Sequence, residues 1–569
     1  MYVRRTTRKL ADGTRVGYLQ LAHKVRDPET GTPRDEVLHH FGREDELDRA
    51  QIKRLIRSLT RFLEPEEQAE VEAELAGVGA EVVTVERSLP FGGTYVLDRL
   101  WKRLELDEVL GEMLEERDYE IDIERLLFAL VANRTLDPRS KLSMERWVGK
   151  RAWIEELPEV QVHQLYRAMD FLVNQGEEVQ RAVFFSTASL LNLEVDLLFF
   201  DTTTTYFEVE EEDELRRYGG ASSKDERPDR PQVVVGLAVT RDGLPVRCWV
   251  YPGNASDATV VKEIQEDLAG WRLNRVVWVV DSGMGGEDQR VALQRGGGQA
   301  IIGEKLHSDE KAVQEALSRG GRYQEVRENL HVKEVTVSEG SQERRLVVLR
   351  NPERAERDRE KREDALAHLE ETLPRLNRQI ERAREEAEAE EGKEYSHPPA
   401  VCELLSHDFY GKYVREKADH SLAIDRGRVR AEERLDGKSL VSTTDPSLSA
   451  AEVATGYKEL AEAEAAFRTL KQTLDLRPLY HRTEERITAH VLLCWLGLLL
   501  VRLAEKETGE SWEKLRDELQ QIHRVKVRTE DGTFELVTEP TPTQRNLLSN
   551  LEIEAPSKVQ DVVPGAQAA

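Results

Sequence analysis

The sequence predicts an α/β core built on one mixed sheet, and three observations lead there. An apolar run at residues 195–200 closes on Asp201, and a second, at 276–280, closes on Asp281. Between and after them, stretches of strand character alternate with stretches of helical period, the pattern of strands interleaved with helices. Far downstream, a helix-like stretch at 457–471 carries a third acid, Glu464.

Residues 1–45 read as short strands with turns at Asp12-Gly13 and around Gly31 and Pro33. The first 26 residues are basic, with Arg4, Arg5, Arg8, Lys9, Arg15, Lys24 and Arg26. From 46 to 80 the pattern is helical and charged. Residues 94–193 form a run of helices in which Leu126, Leu127, Leu130 and Val131 recur at helical spacing, and Asp137-Pro138 is expected to open a helix. The period then changes. A buried strand at 195–200 is followed by an acidic loop, then by a hairpin of 232–239 and 244–251 across Arg241-Asp242-Gly243. A helix at 259–269, a strand at 276–280, a helix at 285–295 and a strand at 299–303 complete the series. The order β-β-β-α-β-α-β is that of an RNase H-like fold. There, by analogy, the first and fourth strands are parallel neighbours. Open α/β sheets bind ligands beyond the carboxyl ends of their strands, where Asp201 and Asp281 are expected.

The third acid should come from a helix after the fifth strand, but residues 304–455 intervene. They hold strand-like pieces at 332–337 and 345–349, then a charged helical stretch with Leu366, Leu369, Leu373, Leu376 and Ile380 at spacings of 3, 4, 3 and 4. That is a coiled-coil-like seam, expected to form a helical hairpin arm. After 505 come an amphipathic helix and a short β-like tail. The expected division is a small basic β-rich region at 1–50, a helical linker at 51–93, a helical, candidate DNA-binding region at 94–194, the core at 195–303, a β-plus-helical insertion at 304–455, closing helices at 456–505 and a tail at 506–569.

At 569 residues the chain is too long for one ordinary core, and about three to five units are expected. Cys248, Cys402 and Cys494 are far apart and lack C-x-x-C spacing, which argues against a disulfide framework or zinc module and fits a reducing compartment. The first residues lack an apolar signal-peptide core, and the apolar run 491–501 is too short to span a bilayer and reads as a buried helix. No G-x-x-x-x-G-K-[ST] loop accompanies Gly283, Gly285 and Gly286, so ATP dependence is not supported. The net charge of −27 disfavours nonspecific DNA binding by the surface as a whole, but binding depends on local patches, and much of the acid lies in blocks such as 208–214 and 385–391.

Two strand-end carboxylates and one helix carboxylate can hold two Mg²⁺ ions, a donor set suited to cutting and joining phosphodiesters. On a continuous helix, Tyr457, Glu464 and Lys471 are seven apart, and seven residues fall only about 20° short of two turns. Tyr457 and Lys471 would then share a face with Glu464, and Arg468 is close enough to join them in contacting a DNA strand; an ordinary surface helix with a Glu464–Arg468 pair is the plainer alternative. Lys224, Arg227 and Arg230 form a basic loop near the first acid, with Lys224 and Arg227 as candidate DNA contacts. The run Thr202–Thr205 is read as structural, and His490 as a core histidine.

Tyr457, Leu460, Glu464 and Lys471 together resemble the Tyr-Arg-Glu-Lys signature of DDE transposases of insertion-sequence families 4 and 1634. The resemblance extends to the blocks around Asp201 (residues 199–207), 223–229, Tyr251-Pro252-Gly253-Asn254, the block around Asp281 (279–285), Phe467–Lys471, Arg477-Pro478 and His490. It implies a DNA transposase that binds terminal inverted repeats and target DNA and catalyses cut-and-paste cleavage and strand transfer. Asp201, Asp281 and Glu464 would hold two Mg²⁺ ions (Mn²⁺ can substitute), with Asp201 shared between them. It further implies a homodimer in the synaptic complex and a prokaryotic, cytoplasmic protein that is nucleoid-associated on DNA, with no membrane partner. End recognition is expected from the basic N-terminus and from the helices carrying Arg134, Arg139, Lys141, Arg146, Lys150 and Arg151. Leu460 departs from the signature, where arginine is expected. No tryptophan lies between Trp278 and Trp495, so any base-stacking residue there must be an aromatic such as Tyr323, Phe409, Tyr410 or Tyr413. An RNase H-like repair nuclease or resolvase, or an inactive transposase-derived DNA-binding protein, are the alternatives.

Overall fold

A computed structural model of the chain describes residues 2–9, 15–26, 33–43, 58–59, 84–115, 119, 121–191, 197–219, 227–269, 271, 277–281, 299–307, 310–339, 342–389, 395–476, 481–529 and 532–564. At the N-terminus, β1 (Tyr2–Lys9), β2 (Arg15–Arg26) and β3 (Pro33–Arg43) form an antiparallel sheet. The turn at Asp12-Gly13 and nearly all of the helical stretch expected at 46–80 lie outside the described residues. β4 (Thr84–Pro90) leads into the helical region.

That region comprises helices Gly92–Arg103, Leu106–Leu114, Ile123–Leu136, Lys141–Trp147, Val162–Asn174 and Gly176–Leu190. Helix Ile123–Leu136 is buried on every side, and so shows no amphipathic stripe. It opens on Asp122, whose side chain accepts the Arg125 N–H at 3.0 Å. The next helix starts at Lys141, later than Asp137-Pro138 suggested. Ser140 is the cap that accepts an orphan N–H, from Ser143, while Asp137 closes the preceding helix. Helices Gly92–Arg103, Ile123–Leu136 and Val162–Asn174 pack on Glu484–Thr508. Its composition and length would allow it to cross a membrane, but 89% of its apolar window is buried inside the fold, as a core helix requires. It ends on Gly509, at φ +70.

The central sheet contains β5 (Leu197–Tyr206), β6 (Arg217–Tyr218), β7 (Pro231–Val239), β8 (Pro245–Pro252), β9 (Val277–Val280), β10 (Gln299–Glu304), β11 (Gln324–Arg327), β12 (Leu330–Glu339) and β13 (Gln342–Arg350). A separate two-stranded ribbon follows, β14 (Val414–Glu416) with β15 (Leu422–Ile424), before β16 (Lys438–Thr443) rejoins the sheet. At the heart of the sheet, β8-β7-β5-β9-β10 stand side by side, with β5, β9 and β10 parallel and β7 and β8 antiparallel. This is the RNase H-like arrangement. The helix expected at 285–295 lies outside the described residues.

Residues after β10 stay with the sheet: β16 pairs antiparallel with β10, and β13, β12 and β11 continue outward. The leucine seam needs a correction. Leu369, Leu373, Leu376 and Ile380 do lie buried along one long helix, Pro352–Ala389. Their partner is not a second arm but a small mixed module, with Val401, Leu404, Tyr413, Val414, Leu422 and Val429 packed against the seam. Seam periodicity specifies an apolar stripe, and several kinds of partner can cover one.

β17 (His523–Thr529), β18 (Gly532–Val537) and β19 (Val559–Pro564) are more than a tail. They form a four-stranded sheet with β4, which ties the far end of the chain to the entrance of the helical region.

Candidate active site

Sheet register brings the first two acids together. β5 and β9 run parallel, with Leu197 opposite Val277, Leu198 opposite Trp278 and Phe199 opposite Val279. Counting on by two sets Asp201 level with Asp281, on strands about 4.8 Å apart. Side chains alternate along a strand, so both acids face the same side as Phe199 and Val279, which belong to the large core shared with the helices. Asp201 does not end its strand as expected. β5 runs on through Thr202–Thr205, paired with β7, and it is β9 that stops, at Val280. The four threonines are buried, which leaves them no DNA contact here. Asp201 is half-buried and its Oδ1 accepts the Thr202 N–H at 2.7 Å, whereas Asp281 is exposed.

The third acid arrives on helix Ala461–Arg468, which packs on β5 and β7 through the buried face Ala463, Ala466 and Phe467. The two alanines let the helix lie close to the sheet. Glu464 is exposed. The single long helix expected over 457–471 is instead three segments: Ala450–Lys458, Ala461–Arg468 and a π-helical turn Thr469–Thr473. The seven-residue count therefore does not hold across it. At the break stands Leu460, only 6% exposed and part of the core. An arginine there would bring a guanidinium into an apolar setting, a costly burial.

Tyr457 nevertheless reaches the acids. Its hydroxyl donates to Asp281 Oδ1 at 3.1 Å. Burial, then the negative charges of Asp281, Glu464 and Glu304, hold this phenol protonated well above the ordinary tyrosine range. Arg468 is exposed at the end of its helix, and Lys471 is half-buried in the π-helical turn. Arg227 is engaged locally, bonded to Asp229 at 2.8 Å and lying over the Tyr206 ring at 4.9 Å. Lys224 lies outside the described residues.

Two of the residues expected to read DNA ends need correction. Arg134 and Lys141 are buried, so they offer nothing to a DNA backbone, while Arg139, Arg146, Lys150 and Arg151 are exposed. Of the aromatics, Tyr413 is buried in the module core, and Tyr323, Phe409 and Tyr410 are half-buried.

A fourth carboxylate went unread. Glu304 ends β10, and its charge reaches Tyr457. Its signal was the same as for Asp201 and Asp281, an apolar run closing on an acid. Unlike them it is buried and committed to Arg344, at 2.6 Å, and to the Ser442 hydroxyl. Both partners come from the added strands β13 and β16.

Among the described residues, Asp201, Asp281 and Glu464 do not bring three donor atoms within 4.8 Å of one another; His397, Glu416 and His420 do. In a two-ion site the ions stand about 3.5–4 Å apart, so acids serving opposite ions need not touch. The carboxylate-only donor set fits a hard divalent ion.

Residues 197–500 match the transposase DDE domain family, and residues 3–71 match the N-terminal domain of the IS1634 family transposases. The chain belongs to the DDE transposases, enzymes that cleave DNA and transfer strands with the help of divalent metal. Within them it is an insertion-sequence transposase of the IS1634 family. No curated protein matches it. Among solved structures it is similar to a piggyBac transposase synaptic complex with hairpin DNA, at 9% identity and a TM-score of 0.34, over 78% of this chain and 82% of that one.

Proposed function

We propose that Asp201, Asp281 and Glu464 are the catalytic acids of this transposase, and that they hold two Mg²⁺ ions, with Mn²⁺ able to substitute. The observation that carries this is the shared register of Asp201 and Asp281, with Tyr457 bonded to one acid and under the charge of Glu464. When bound, the ions supply an activated water or DNA 3′-hydroxyl and stabilise the leaving oxygen. The side chains do the rest. Tyr457 fixes the Asp281 carboxylate by donating to it. Lys471 and Arg468 lie just after Glu464 and neutralise phosphates of the reacting strand; Arg227, beside the end of β5, contacts DNA, and so does Lys224.

The substrate is double-stranded DNA, the terminal inverted repeats of the element and then its target, joined by a cut-and-paste route in a synaptic homodimer within a prokaryotic cell. Exposed Arg139, Arg146, Lys150 and Arg151, with the basic β1–β3 sheet, are the surfaces for end recognition. Residues 304–455 act as an insertion between the fifth core strand and the closing helices.

The test uses duplexes cut from the DNA flanking the gene. With Mg²⁺ the protein nicks and joins the ends. Asp201→Asn, Asp281→Asn and Glu464→Gln each lower cleavage by about 10³-fold or more, which is about 4 kcal/mol of barrier, and leave gel-shift binding of the ends intact. Substantial cleavage by Asp281→Asn would overturn the assignment.

A further inference from the structure

We propose that His397, Glu416 and His420 form a second metal site, built for a divalent transition ion of the zinc class and separate from the carboxylate edge. Their donor atoms all lie within 4.8 Å of one another. His397 Nε2 stands 3.4 Å from Glu416 Oε1, and His420 Nδ1 approaches the same oxygen. Two imidazole nitrogens and one carboxylate oxygen thus converge on one point from three places in the chain. His397 precedes helix Pro399–Ser406, Glu416 ends β14, and His420 lies in the turn to β15.

Surrounding groups hold the ligands in place. The other nitrogen of His397, Nδ1, is 3.1 Å from the Tyr395 hydroxyl. An Nδ1–H donated to that oxygen fixes the tautomer whose Nε2 lone pair faces the cluster, the usual second-layer arrangement of metal-binding histidines. The Tyr395 ring stacks on His420 at 4.5 Å and 27°. His420 itself sits at φ +64, closing a turn in which its N–H donates to Lys417 O at 2.9 Å. Glycine or asparagine fits that backbone more cheaply, by about 1 kcal/mol.

The donor set selects the ion. Mg²⁺ and Ca²⁺ take oxygen ligands, whereas mixed imidazole and carboxylate sets suit zinc and its neighbours. Three protein donors leave a fourth tetrahedral position for water. The site would fasten the β14–β15 turn to the segment before Pro399, at the edge of the module packed on helix Pro352–Ala389. A metal there contributes to the stability of the module, because it binds the folded arrangement and not the open chain.

The test uses the full chain, equilibrated with Zn²⁺ in excess Mg²⁺, dialysed, and assayed for metal per chain. Wild type and Asp281→Asn retain one zinc. His420→Asn, which tolerates the left-handed backbone, and His397→Gln bind it at least about tenfold more weakly and lose it on dialysis. Zinc also raises the thermal midpoint of wild type and leaves that of His420→Asn unmoved. Equal zinc retention by wild type and His420→Asn would overturn the proposal. So would a Co²⁺-loaded wild type without the visible absorption of a low-symmetry nitrogen–oxygen site, a measurement that needs no variant to fold.

Discussion

The sheet edge and the pocket behind helix Glu484–Thr508 treat charge in opposite ways. At the edge, Asp281 and Glu464 are left in solvent, open to a cation. In the pocket, Arg134, Lys141 and His490 are buried together, with His481 beside them and the Lys141 ammonium 3.3 Å from His490 Nδ1. Burial, helped by Arg134, pushes Lys141 down to about 7. It likewise pushes His481 down to about 3 and His490 well below its usual value. The proposed metal acids lie in solvent, while this buried lysine and these two histidines are pushed toward their neutral forms. The net charge of −27 describes neither region, since it sums an exposed acid edge with a hidden basic one.

Glu304 breaks this division, being a carboxylate of the edge that is nevertheless buried, and it should give the largest effect on stability. Arg344→Met removes its partner at 2.6 Å and strands the charge. Breaking such a buried pair costs about 3–5 kcal/mol, to be read as a lowered urea midpoint. Arg344→Met with Glu304→Gln should recover most of the loss, because no bare charge then remains. If the single variant is as stable as wild type, the added strands are not what neutralises this acid.

Lys141 sharpens the other side. Its folded value lies below the unfolded one, so between about pH 7 and 10.5 the unfolded chain binds the extra proton. Stability therefore rises with pH across that window, is fully gained above 10.5, and is lost as pH falls toward 7. The limiting slope is about 1.4 kcal/mol per pH unit. Lys141→Met should flatten it and stabilise the protein at pH 7 by about 1–3 kcal/mol. Urea midpoints followed through tryptophan fluorescence at several pH values measure both. An unchanged slope would mean that Lys141 keeps its charge inside the fold.

The acid edge was legible because its signal is local: an apolar run fixes a buried strand, and parallel pairing of two such strands sets their acids level, although only Asp281 lies where its strand stops. The order of the core strands followed from the same runs. The basic pocket was not legible, because Arg134 and Lys141 look the same in sequence whether they face DNA or a buried helix. Burial is decided by helix Glu484–Thr508, some 350 residues away. The break at Leu460 escaped for a related reason. A seven-residue spacing suits a continuous helix, but Leu460 turns into the core at the point where the helix would have to continue. The covering of the leucine seam was hidden too, since a stripe states its own face and not its partner.

Tyr457 joins the comparison, as a group neither exposed like Asp281 nor buried like Lys141, and its effect should be the smallest. Tyr457→Phe keeps the ring that packs against the core and deletes the hydroxyl that donates to Asp281. A hydrogen bond to a charged group is worth about 1.5–3 kcal/mol, but the exposed carboxylate can recruit water instead. Single-turnover cleavage should therefore fall about tenfold, or about 1.4 kcal/mol, with end binding unaffected. Because burial, and then the neighbouring acids, keep the phenol protonated well above its ordinary range, wild type and Tyr457→Phe should share one rate profile from pH 7 to 9. The variant should also need more Mg²⁺ for half-maximal rate, since Asp281 is no longer held in one orientation. A wild-type profile that bends in this range while that of Tyr457→Phe stays straight would make Tyr457 a titrating group in the reaction, and the positioning role assigned to it would fall.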